Sequence, residues 1–122
     1  MPSKNPAQRL SDIIDNIAAI GAFTSALDLH SFRADRKTVY AVIRALEIIS
    51  EASRRLPDEL LRRHPEIDWA AIAAAGNVYR HEYDAVDEGL IWQTVRHGLT
   101  TLRDVAHEEF LRLQKNLSPD VP

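Results

Sequence analysis

The sequence predicts an all-α protein: an antiparallel four-helix bundle with one additional short helix. Three observations predict it. Apolar residues recur at three- and four-residue steps along most of the chain. The breaks between these stripes hold Asp, Pro or Gly, and no stretch alternates apolar and polar residues as a half-buried strand would. The length of 122 residues, 45% hydrophobic and 27% charged, suits a single domain over 1–122, ordered from about residue 7 to 116.

The elements follow in order. Leu10, Ile13, Ile14, Ile17, Ile20, Thr24 and Leu27 form the first stripe. Asp28 to Ala34 reads as a polar connector, and Asp35 suits the cap of a second helix whose stripe is Val39, Val42, Leu46, Ile49, Ser53 and Leu56. Pro57 opens a short helix to Arg63, and Pro65 stops it. Asp68 caps an Ala-rich helix that is favourable up to Gly76. Asp87 caps the last and longest helix, with Trp92, Val95, Leu99, Leu102, Ala106, Phe110 and Leu113 on one face. Residues 1–5 and 117–122 read as frayed ends.

Composition excludes several kinds of chemistry. The chain has no Cys, hence no disulfide, thiolate metal site or thiol nucleophile, which fits a reducing cytoplasm. No apolar run reaches the ~18 residues of a membrane span, and the start of the chain does not resemble a secretory signal. The net charge is -3 and the pI about 5.9, so any binding of a polyanion must rely on a local patch. Arg54, Arg55, Arg62 and Arg63 cluster around Pro57 as one such patch, although Arg also favours helix ends for dipole reasons alone. His30, His64, His97 and His107 lack the His-x-x-x-His spacing of a zinc helix, and the sequence predicts no metal site. There is no Gly-rich phosphate loop and no nucleophile elbow.

One stretch differs, the run from Gly76 through Asn77, Val78, Tyr79, Arg80, His81, Glu82, Tyr83 and Asp84 to Asp87. A His that titrates near neutrality can exchange protons, and an adjacent Arg can hold a phosphate through its planar fork. Together they are the minimum for metal-free RNA cleavage: activation of the 2'-hydroxyl, stabilisation of the phosphorane and protonation of the leaving oxygen. The same residues equally suit a helix C-cap. Glu47 and Glu51, one turn apart, either orient His81 or line a solvated face.

The run from Asp35 to Pro57 resembles the second-helix signature of the HepT-like proteins of the HEPN superfamily. The resemblance continues through 64–73, Asn77 to Asp87, and Ile91 to Val95, and covers about Gln8 to Gln114. It implies a helical bundle that pairs as a two-fold homodimer. It also implies a metal-independent endoribonuclease, the toxin of a type VII-like toxin–antitoxin pair, restrained by a minimal nucleotidyltransferase. The family motif is an Arg, a gap of a few residues, then His-x-Tyr, with Arg and His cleaving RNA. No cofactor is implied beyond the ATP that the partner uses to transfer AMP to the motif Tyr. His81 and Tyr83 match that motif; the Arg does not, because its place falls at Gly76.

Helix geometry sharpens the departure. At about 100° per residue, position 76 lies about 140° round from 81 and position 80 about 100°, so Arg80 is the candidate replacement, serving its own His81 or that of a partner. Tyr83 and His81 cannot share a face unless the helix loosens near Glu82. A helical Gly costs about 1 kcal/mol relative to Ala, so Gly76 calls for a packed seam, within the bundle or across a dimer. With Gly76 in the motif, a second reading is a catalytically weak module that pairs with a nucleotidyltransferase and binds nucleotide; a third is an inactive scaffold.

Overall fold

The computed structural model describes residues 4–81 and 87–117, and the backbone alone of Arg80, His81 and Leu117. Helix α1 (Pro6–Thr24) starts on a Pro, with the Asn5 side chain accepting from the Gln8 amide at 3.1 Å. Its stripe is buried from Leu10 to Thr24, and the enclosed Thr24 hydroxyl donates to the Ile20 carbonyl at 2.8 Å.

The segment read as a polar connector is instead a short helix, α2 (Leu29–Ala34). Asp28 accepts from the Ser31 amide at 2.8 Å while the Ser31 hydroxyl accepts from the Asp28 amide at 2.9 Å, a reciprocal cap. The Ser31 amide, together with the Ser31 hydroxyl that also donates to Asp28 Oδ1 at 3.0 Å, favours the charged form and holds the Asp28 carboxyl below its usual range. Phe32, fully buried, anchors this turn at 5.0 Å from the Trp92 ring.

Asp35 caps α3 (Arg36–Arg54), accepting from the Thr38 amide at 3.1 Å, and the stripe from Val39 to Ile49 enters the core. Pro57 precedes α4 (Asp58–Arg62), which buries Leu60. The Trp69 indole donates to the carbonyls of Leu61 and His64 at 3.2 and 3.1 Å, tying α4 to the start of α5 (Trp69–His81). Asp68 caps α5 through the Ala71 amide at 3.0 Å.

The last stripe was expected to be one helix, but it is broken. Asp87 caps α6 (Glu88–Gln93), a π-helical turn follows at Thr94–Gly98, and α7 (Thr100–Leu117) completes the fold. Thr94 donates back to the Leu90 carbonyl at 3.1 Å and Gly98 is a weak helix former, two features that loosen an α-helical turn. Helix α3 packs between α1 and α5, and α7 lies along α1. Helices α1 and α5 therefore end where α3 and α7 begin. Among the described residues, no helix is long and apolar enough to cross a membrane.

Candidate functional site

The motif helix is held by its closest approach to α3. Gly76 is buried, and a Cβ there would overlap the Ser50 hydroxyl and lie 2.9 Å from the Ser50 Cβ. Ser50, itself buried, donates to the Ala73 carbonyl at 3.2 Å, which fixes the two backbones in register. The seam that Gly76 requires thus lies inside the bundle. The position where the resemblance places the motif Arg cannot carry any side chain without moving a helix.

A test follows. Gly76→Ala should lower stability by about 1–2 kcal/mol, since the overlap outweighs the gain in helix propensity, and Ser50→Gly should relieve it in the double variant. Equal unfolding midpoints for Gly76→Ala and wild type would remove the steric argument.

One turn beyond, half-buried Tyr79 has its phenol pushed up by burial. It lines a cleft of about 200 Å³ with Ser50 and Ile72 on one side and Thr94, Gly98 and Leu102 on the other. The opposite face of α5 is exposed at Ala70, Ala74, Asn77 and Val78. Position 81, the last residue of α5, lies about 140° round the helix from Gly76 and about 40° from Asn77. Position 80 falls about 40° from Gly76. Tyr83 lies outside the described residues.

The other candidates are spread out. Glu47 and Glu51 pair with Arg44 and Arg55 at 3.4 and 3.0 Å, and line a cavity of about 160 Å³ with Arg9 and Asp12 between α1 and α3. The Arg cluster belongs to the far end of the bundle. Counting from the Ser50–Gly76 contact, Arg54 lies four residues one way and His81 five the other, roughly 13 Å apart along the axis at ~1.5 Å per residue. Arg54 and Arg62 are exposed, Arg55 is paired with Glu51, and Arg63, partly exposed, is paired with the buried Glu109. Within one protomer, the structure does not bring these Arg residues to the motif.

Arg63 leads to the one group that sequence reasoning missed. Glu109 is fully buried, and its carboxylate accepts from Arg63 Nε and Nη2 at 3.1 and 2.7 Å. His64 Nε2 lies 2.6 Å from the same carboxylate and Arg112 lies 3.4 Å away. Burial pushes this carboxyl up, but the hydrogen bonds from Arg63 and His64 and the charges of Arg63 and Arg112 outweigh it, so it is held below its usual range. Ligand atoms of His64, Glu108 and Glu109 gather within 4.8 Å of one another, yet the Glu109 oxygens are already taken by Arg63 and His64. The available signal was a Glu one step before Phe110, three residues after the core position Ala106.

Comparison with known proteins decides the family. The family model described as "Ribonuclease HepT-like" matches residues 13–109. The chain belongs to the HepT-like ribonuclease family. It is 42% identical over 94 residues to "Probable ribonuclease HepT" of Thermococcus cleftensis, covering 77% of this chain and 86% of that one. It is 35% identical over 95 residues to "Putative RNase MJ0127" of Methanocaldococcus jannaschii, covering 78% of each. "Putative RNase TTE0752" of Caldanaerobacter subterraneus is 30% identical over 105 residues, 86% of this chain and 94% of the relative. No solved structure matches the chain. The all-α HepT-like fold expected from the sequence is the fold observed.

Proposed function

We propose that this chain is a metal-independent endoribonuclease, the toxin of a type VII-like toxin–antitoxin pair. His81 is the proton-transfer group and Arg80 holds the scissile phosphate. Tyr83 accepts AMP that a partner nucleotidyltransferase transfers from ATP: the phenol oxygen bonds to the α-phosphorus as the α–β phosphoanhydride bond breaks and pyrophosphate leaves. The observation that carries the reading is the family match spanning a helix that ends in Arg80 and His81. The steric exclusion of a side chain at Gly76 supports Arg80 as the cation, because no other motif position up to His81 is Arg. The exposed face formed by Ala70, Ala74 and Val78 leads up to position 81 and suits close approach of a second copy in a homodimer.

The experiment is incubation of the purified chain with RNA in excess chelator. Cleavage is expected to persist, and Arg80→Ala to reduce it by a hundredfold or more, the scale of a lost transition-state charge contact. Cleavage that stops with chelator removes the metal-free mechanism; undiminished cleavage by Arg80→Ala removes its role.

Modification has its own readout. After incubation with the partner nucleotidyltransferase and ATP, intact-mass spectrometry should record added AMP on wild type and none on Tyr83→Phe. An AMP adduct adds negative charge where the RNA phosphate must sit, so the modified chain should be inactive. The same Gly76 geometry favours a second reading, a catalytically weak module that binds nucleotide and its partner; ATP or AMP binding without RNA cleavage would select it.

A further inference from the structure

We propose that the groove between α1 and the start of α7 is a track for the phosphate backbone of single-stranded RNA, with Arg96 and Arg103 as its phosphate contacts. The proposal rests on the ribonuclease reading and names where the substrate lies. The groove has a volume of about 500 Å³, walled by Gly21, Thr24 and Ser25 on α1 and by Arg96, Thr100 and Arg103 on the other side. Among the described residues no carboxylate lines it, in a chain of net charge -3. Such a local field is what an acidic protein needs to hold a polyanion.

Arg96 is held ready for this role. Its guanidinium lies 4.5 Å over the Trp92 ring, and one Nη donates to the Leu27 carbonyl at 2.8 Å. A planar fork fixed in this way loses little freedom when it meets a phosphate. Arg103, about half exposed, pairs only loosely with Asp104 at 3.4 Å.

Gly21 is the independent observation. It lies inside α1, where glycine is unfavourable, yet a Cβ there would meet nothing within 4 Å. Packing within the chain gives no reason for it; a bare backbone in the groove wall leaves room for a strand. The π-helical turn connects this groove to the motif helix. Val95, Arg96 and Leu99 line the groove while Thr94 and Gly98 line the cleft beside Tyr79. Helices α1 and α5 end together, so the groove shares the bundle end where His81 lies.

The test is fluorescence anisotropy with a short labelled single-stranded RNA, using the full chain carrying His81→Ala so that the probe survives. Arg103→Gln should weaken binding roughly three- to tenfold and reduce the slope of log affinity against log salt by about one. Gly21→Glu should weaken it at least tenfold, and Gly21→Ala, which adds only a methyl group to the groove wall, should weaken it less. Arg96→Gln should act like Arg103→Gln; because Arg96 also braces Leu27, the deciding variants are Arg103→Gln and Gly21→Glu. In the cleaving background, Arg103→Gln should raise KM with little change in kcat. If the parent binds RNA and these variants bind it equally well with an unchanged salt slope, the track is wrong while the ribonuclease reading stands. If the parent binds no RNA and wild type cleaves none, both fail.

Discussion

On the function proposed above, His81→Ala is expected to abolish growth arrest on expression of the chain, and to reduce RNA cleavage in vitro by about a hundredfold to ten-thousandfold. That range is what a positioned proton donor or acceptor contributes to a transition state. His81 is the last residue of α5, a helix fixed by the Gly76–Ser50 seam at one level and by the Trp69 indole at its start, contacts that do not involve position 81. His81→Ala should therefore unfold at the wild-type midpoint while losing activity. His64→Ala is the contrasting control, because His64 is buried on Glu109 and its loss should lower stability. Growth arrest by His81→Ala equal to that of wild type would overturn the proposed chemistry.

Glu109→Gln should destabilise the fold by about 3 kcal/mol. Removing one partner of a buried ion pair leaves the other charge uncompensated, and the lower end of the usual 3–5 kcal/mol range applies because Arg63 is about one-third exposed. The amide keeps the shape of the carboxylate but loses its charge, and its NH2 sets a donor against the Arg63 or His64 donor that the second carboxylate oxygen accepts from. The pH dependence has a definite sign. The folded carboxyl titrates below its unfolded value of about 4.5, so its stabilisation is present above that pH and fades as pH falls through the folded value. The gap between wild type and Glu109→Gln should accordingly be widest near neutrality and narrow in acid. Urea titrations at several pH values measure it directly, and a gap below about 0.5 kcal/mol at pH 7 would refute the role.

Glu109 also marks the limit of what could be read from the chain. The apolar stripe of the last helix was legible, but whether a Glu beside it faces water or the interior depends on what approaches it. Here the turn after α4 brings Arg63 and His64 from 46 and 45 residues away. The Arg cluster around Pro57 divides for the same reason, since only the folded chain assigns Arg63 to a buried carboxylate and leaves Arg62 exposed.

The sequence alone determined the helices, because the 3.6-residue period, Asp caps and Pro breaks are local and need no partner. Caps at Asp35, Asp68 and Asp87 appear where they were expected. It also determined the family, through motifs in matching order. Two local features were missed for a reason of degree: the reciprocal cap around Asp28 holds a helix too short to show a period, and the π-helical turn leaves an apolar stripe almost unchanged. Tertiary structure decided what Gly76 is for. A glycine in a helix announces only that something lies close, and the contact with Ser50 identifies the neighbour and excludes a side chain there. It likewise decided which cations share an end of the bundle with His81, because antiparallel packing joins residues by helix direction and not by their distance along the chain.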